Sequence, residues 1–434
     1  MSSLAAGRVV LGCYRFATRL AGPLVRQHLA SRARRGREDP ARLPERLGEP
    51  SLARPSGSLV WLHAASIGES LSALPLIQRL RDGWPGVTLL VTTGTYTSAR
   101  LMIERLPEGV IHQYAPVDLE PAVQRFLGHW RPALGLLLES ELWPSLLHHA
   151  RDIGCALAVV NGRMSPSSYS SWRRARPVIH ALLDPFELVL AQSPEDEAHF
   201  KKLGAASVLC LGNLKFAAPP LEADPLQLTA LEAACADRPL WLAASTHEGE
   251  ELIVGEVHRR LSEERPGLLT LLAPRHPDRG AAIAEELSAF GLRVARRSVG
   301  QAIDAESDIY LADTIGELGL WYRLAEVVFV GGSLVDKGGQ NPLEPAKLGC
   351  AVLSGRHTTN FARVTREMVA GSAMRTVADV DSLAESVAAL LDDASSRGVL
   401  IEAARDYAEA ESGVLDRVVE ALAPLLDRAA ARAL

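Results

Sequence analysis

Residues Phe329 to Gly349 read FVGGSLVDKGGQNPLEPAKLG. The apolar run Val327-Val328-Phe329-Val330 ends a buried strand. Two glycine pairs follow, Gly331-Gly332 and Gly338-Gly339, and glycine lets backbone approach a ligand closely. The run Asn341-Pro342-Leu343-Glu344-Pro345 then reads as a helix start, because proline suits the first turn. A helix N-terminus presents unpaired N–H groups and partial positive charge to a phosphate. Glu344, in that first turn, is placed to accept both hydroxyls of a ribose. The stretch therefore reads as a nucleotide site at a strand–loop–helix junction. The plain alternative is an ordinary glycine-rich βα turn.

Outward from this stretch the pattern repeats. Apolar runs at Leu240–Ala244, Leu268–Leu272, Ile309–Ala312 and Ala351–Leu353 alternate with helical periodicity, for example over Glu248–Leu261 and Pro277–Phe290. An earlier series lies at Leu59–Leu62, Thr88–Thr92, Leu134–Leu138, Leu157–Val160, Leu188–Ala191 and Val208–Leu211. Continuous apolar strands alternating with helices imply parallel sheets covered on both faces. The proline-rich AAPPLEADP, Ala217 to Pro225, breaks the rhythm. The expected domains are thus 38–218 and 219–434, with the helical tail from Arg397 in the second. Residues 38–57 read as a surface linker. At 434 residues two domains are expected, and 47% hydrophobic with 23% charged residues is a globular composition. Net charge of −6 gives no case for nucleic acid. Five scattered cysteines with no C-x-x-C pair speak against a zinc site or a disulfide framework.

Polar residues gather where strands end, which is where open α/β sheets bind ligands. In the first half, His63 leads through Ala64-Ala65-Ser66-Ile67-Gly68 to Glu69, a carboxylate able to act as general base or only to complement a helix dipole. Glu139 and Glu141 follow another strand, and two acids there need solvent or partners. Asn161-Gly162-Arg163 follows the next, with Arg173, Arg174 and Arg176 behind it, either anion ligands or a solvated face. Lys215 closes the half. In the second half, Ser245 or Thr246 reads as an N-cap with Glu248 starting a helix. Pro274-Arg275 and Asp313-Thr314-Ile315-Gly316-Glu317 follow two further strands. Four such motifs at one sheet edge favour nucleotide binding. The 12 histidines show no H-x-x-x-H or H-E-x-x-H spacing, and no metal constellation, Walker loop or G-x-S-x-G elbow is present.

Residues 1–37 hold eight arginines and no acid. Arg8, Arg15, Arg19 and Arg26 fall within about 40° of one line on a helix. No apolar run reaches the roughly 18 residues of a spanning helix. Residues 1–37 are therefore expected to form a basic amphipathic helix on an anionic membrane surface, rather than a soluble helix with a solvated basic face.

Taken in order, HAASIGE, LESELWP, NGRMS, GNLKF, AASTHEGEE, PRHPDR, DTIGELGLWY, FVGGSLV, GGQNPLEP and Asn360-Phe361 resemble the 3-deoxy-D-manno-octulosonic acid (Kdo) transferases of lipopolysaccharide synthesis. ARLPERLGE resembles the segment after that family's membrane anchor. The resemblance runs from about Arg42 to Phe361. It implies a GT-B fold, two Rossmann-like domains facing across a cleft, with an N-terminal amphipathic helix. It further implies inverting transfer of Kdo from CMP-Kdo to a lipid A precursor at the cytoplasmic face of the inner membrane. No metal or other cofactor is implied, CMP-Kdo being the donor substrate. Position by position, Glu69 matches the family's general base, and Glu139 and Lys215 match groups that stabilise the transition state. Pro274 and Arg275, Ile315, Gly316 and Glu317, and Asn341, Pro342, Leu343 and Glu344 match the CMP-binding segments. Gln340 stands where the family usually has His, and Arg356 where Pro is usual. The rival reading is a GT-B enzyme with another nucleotide-sugar donor or a non-lipid acceptor.

Overall fold

The computed structural model describes residues 3–235 and 238–432. The chain divides into two compact units. One runs to Ala218 and takes in the chain again from Glu411; the other is Pro219–Ala410.

The first unit is built on seven parallel strands: β1 (Ser58–Ala64), β2 (Val87–Thr93), β3 (Ile111–Tyr114), β4 (Leu134–Leu138), β5 (Ala156–Gly162), β6 (Phe186–Ala191) and β7 (Val208–Cys210). Their order is β3-β2-β1-β4-β5-β6-β7. Every residue of β1 and β4 is buried, as expected when helices cover both faces. The order reverses between β1 and β4, where Val60 to His63 pair with Leu134 to Leu137. The second unit repeats the plan with β8 (Leu240–Thr246), β9 (Leu269–Pro274), β10 (Val294–Arg296), β11 (Ile309–Leu311), β12 (Val327–Val330), β13 (Ala351–Ser354) and β14 (Arg375–Thr376). Their order is β10-β11-β9-β8-β12-β13-β14, so β8 and β12 flank its reversal.

Three sequence expectations are corrected. The C-terminal tail does not all belong to the second domain. Helix Val414–Ala431 lays Val414, Val418, Leu422, Leu425 and Leu426 against Val60, Leu62 and Leu136 of the first sheet. Ser58 Oγ donates to Ala429 O at 2.6 Å, and Trp84 Nε1 to Asp427 Oδ1 at 2.8 Å. An apolar stripe at helical spacing needs a partner, and here the first sheet supplies it.

Residues 38–48 are not a surface linker. A 3-10 turn, Pro40–Arg42, and a helical turn, Leu43–Arg46, bury Glu38 and Glu45. Glu45 accepts from the Tyr114 amide and from Arg42, each at 2.8 Å. Such partners are what make a buried carboxylate tolerable.

Three of the four aligned arginines, Arg8, Arg15 and Arg19, are not a free basic face but pair with the body, while Arg26 is exposed, as are Arg34, Arg35 and Arg37. Helix Ser3–Leu20 packs on helix Arg176–Leu183, with Gly7 at the closest approach. A Cβ on Gly7 would lie 1.8 Å from Pro177 O. Arg8 pairs with Asp184 at 2.9 Å, while Arg15 (2.8 Å) and Arg19 (3.2 Å) pair with fully buried Glu120. The outward side carries Val9, Phe16 and Leu20, each more than half exposed. On a helix that stripe lies about 100° from the arginine line. Among the described residues no helix is long and apolar enough to cross a membrane.

Candidate active site

In the first unit the polar residues converge where β1 and β4 end, at the reversal of strand order, the usual ligand crevice of an open parallel sheet. Ser66 caps helix Ile67–Gly83, and Glu69 lies in its first turn, 8% exposed. Glu69 Oε2 accepts from the Ala65 amide at 2.8 Å, and Oε1 accepts from Ser66 Oγ at 2.7 Å. The carboxylate is therefore fixed in direction by its own turn. His63, on β1, is held through Nδ1 by Thr92 Oγ1 at 2.9 Å and faces Glu141 Oε2 across 3.8 Å. Burial pushes the Glu141 carboxyl up, but the His63 and Trp143 contacts outweigh it and hold the group below its ordinary value.

Glu139 stands directly after β4 in a left-handed conformation, φ 56°. Lys215 Nζ donates to its Oε1 at 3.1 Å. The lysine sits in the 3-10 turn Leu214–Ala217, capped by Asn213. Buried Asn161, also left-handed, accepts the Leu214 amide at 2.9 Å. His63 and Glu141 thus link the ends of β1 and β4, Glu139 and Lys215 link β4 to the turn after β7, and Asn161, read from sequence only as part of a strand-end motif, braces the lysine's turn from the end of β5. Arg163, Arg173, Arg174 and Arg176 are exposed. The structure leaves them on the surface around helix Pro166–Arg174.

In the second unit the site forms at the ends of β8, β9, β11 and β12. Two cavities, about 190 and 300 Å³, share Ser245, Arg275, Gly316 and Leu318. Pro274 and Ile315 line the smaller, while Gln340, Asn341 and Glu344 line the larger. Gly316 has φ 88°, a conformation a side chain would strain. Asn341 Oδ1 accepts the Leu343 amide and its Nδ2 donates to Glu344 Oε1, both at 3.1 Å. Burial raises the Glu344 carboxyl above its ordinary value, against the Asn341 bond and the charge of Arg275. Glu317 is committed to Arg297 at 2.7 Å and to Thr314, and the Arg297 bond holds its carboxyl low. Leu343 is core, and Pro342 caps its helix.

Two local expectations change. The helix after β8 starts at Glu250, capped by left-handed Gly249, not at Glu248. Ser245 is left-handed itself and faces the cavities. The helix after Asn341 spans only Leu343–Lys347, so its dipole is small. The cationic character of this half-site rests on Arg275.

Comparison with known proteins places these features. Residues 41–218 match the family model described as 3-deoxy-D-manno-octulosonic-acid transferase. The Bordetella pertussis 3-deoxy-D-manno-octulosonic acid transferase is 36% identical over 95% of this chain and 98% of its own length. The Haemophilus influenzae enzyme of that name is 33% identical over 89% and 92%. A probable mitochondrial one from Arabidopsis thaliana is 36% identical over 83% of each chain. Among solved structures, a Rickettsia africae glycosyltransferase superposes with TM-score 0.59 at 12% identity, over 86% of this chain and 99% of that one. A Listeria monocytogenes putative UDP-N-acetylglucosamine 2-epimerase reaches 0.57 at 16%, over 86% and 97%. These two share the GT-B type of fold, two Rossmann-like domains. With identity of this degree along nearly its whole length, the chain belongs to the 3-deoxy-D-manno-octulosonic acid transferase family of glycosyltransferases.

Proposed function

We propose that the protein transfers Kdo from CMP-Kdo to a hydroxyl of a lipid A precursor, with inversion and without a metal. The observation that carries this is Glu69, a carboxylate fixed in direction after β1 at the first sheet's reversal point, with the Glu139–Lys215 pair following the neighbouring strand β4. The acceptor hydroxyl gives its proton to Glu69 as its oxygen bonds to the anomeric carbon. The bond from that carbon to the phosphate oxygen breaks, and CMP leaves with the electron pair. A general base of this kind contributes roughly 100- to 10,000-fold. Lys215 and Glu139 steady charge near the reacting centre. Arg275 offsets the charge developing on the phosphate, with Gly316 allowing close backbone approach and Glu344 accepting from the ribose. A cation supplied by arginine makes a metal unnecessary for that step.

The acceptor is a lipid, and the reading includes a place at the cytoplasmic face of the inner membrane. Its support is the exposed stripe of Val9, Phe16 and Leu20, continued by Leu24. Apolar side chains would enter the headgroup boundary, while the arginines hold the helix to the body.

The test is incubation with a panel of nucleotide sugars and a lipid A precursor, with mass spectrometry of the product. CMP release and a Kdo mass increment only with CMP-Kdo is expected. Turnover with another donor, or with a non-lipid acceptor alone, would favour the rival reading.

A further inference from the structure

Glu250 is fully buried at the start of helix Glu250–Ser262. It is a charged group with no exposure, so its partners must account for it. They are four backbone amides. Oε2 accepts from His247 N at 2.9 Å and Gly332 N at 2.6 Å. Oε1 accepts from Ser333 N at 3.0 Å and Leu334 N at 2.9 Å. Consecutive amides converging on one point form an anion-binding nest of the sort that cradles phosphate. Here a protein carboxylate already fills it.

The turn is closed from its other sides too. A Cβ on Gly331 would lie 2.7 Å from Ser245 O. Ser333 O accepts the His357 amide at 2.9 Å, and Ser333 Oγ accepts the Gly355 amide at 2.8 Å. Glu250 therefore joins the ends of β8 and β12, the two strands that flank the reversal of the second sheet.

We propose that Glu250 is a positioning residue: an internal anion that occupies the amides of the Gly331–Leu334 turn and sets the donor half-site. The donor's phosphate is then held by the neighbouring Arg275 and Gly316 side, not by the glycine turn. The phosphate assignment rests on the donor reading above; the occupied turn does not.

The test is amide hydrogen exchange on the wild-type chain with and without CMP, followed by two variants. In the free protein, the amides of Gly332, Ser333 and Leu334 exchange slowly, and CMP leaves them unchanged. CMP instead protects the segment around Gly316. Fast exchange at 332–334 in the free protein overturns the inference, whether or not CMP binds. New protection there on adding CMP overturns it equally. Absence of any CMP binding by the wild type refutes the donor reading and leaves the exchange of the free protein to judge the turn. Glu250→Gln keeps the shape but sets an NH2 group against the amides. Its KM for the donor should rise at least about tenfold, with kcat within about threefold. Glu250→Ala opens the nest, and added formate should restore much of its CMP affinity while acting on no other variant. A folded Glu250→Gln protein with unchanged donor KM, or an Ala variant unaffected by formate, contradicts the proposal.

Discussion

Replacing Glu69 by Gln separates chemistry from architecture. In the native turn the carboxylate accepts one bond on each oxygen, from the Ala65 amide and from Ser66 Oγ. A glutamine carbonyl can keep one of these, and its amide can donate to the serine oxygen. What is lost is the charge on two hydrogen bonds, a cost of about 1–2 kcal/mol. For a unit of this size that corresponds to a fall in Tm of about 2–8 °C. The loss of a proton acceptor is larger. At least 100-fold in kcat is about 2.7 kcal/mol of transition-state stabilisation. The assay is CMP release at saturating donor and acceptor, with CMP affinity from calorimetry and Tm from a thermal melt. The expected result is a folded protein, CMP affinity within about twofold, and turnover reduced 100-fold or more. Turnover within about tenfold of wild type would remove Glu69 from the role of base.

Lys215→Met should lower kcat by about 10- to 100-fold with little change in CMP affinity, since it removes a charge near the reacting centre; an effect confined to donor affinity would place the lysine elsewhere in the reaction. Burial pushes the Glu120 carboxyl up, but Arg15 and His149 outweigh it and hold the group at about 2. A depressed carboxyl stabilises the fold above its ordinary value of 4.5 and loses that contribution as pH falls towards 2. Glu120→Gln should thus cost about 3 kcal/mol at pH 7 in urea unfolding, the gap from wild type closing between these limits; a cost below about 1 kcal/mol contradicts the tether. Phe16→Glu with Leu20→Glu should reduce sedimentation with anionic vesicles about tenfold, from lost apolar burial. Binding that survives the pair but vanishes in about 0.5 M salt would return the contact to the arginines.

What was legible in the sequence follows the length and uniformity of the signal. The strands that carry the two switch points, β1, β4, β8 and β12, are unbroken apolar runs and were readable as such. The edge strands β3, β10 and β14 are not, because they are two to four residues long and partly polar. Periodicity showed that the arginines of the first helix share a line, but not that Glu120, about 100 positions later, would meet them. The stripe on Val414–Ala431 was equally visible, and equally silent about which sheet it covers. Amphipathic spacing states that a face needs a partner; only the fold supplies it.

Glu69 and Glu250 put that limit in its sharpest form. Each follows a glycine, and each lies in the first turn of the first helix after the first strand of its own sheet, at the point where strand order reverses. By residue type and position either would serve as a candidate base. A carboxylate has about four acceptor positions. On Glu250 all four are taken by amides, three of them from a turn more than 80 residues away. Nothing remains to receive a proton without breaking a bond that holds the turn. On Glu69 two are taken among the described residues, both from its own turn, which leaves two on a carboxylate that keeps 8% exposure. The difference in role is therefore a difference in occupancy. The sequence around each glutamate fixes the local turn, but the distant amides decide which carboxylate is free to react.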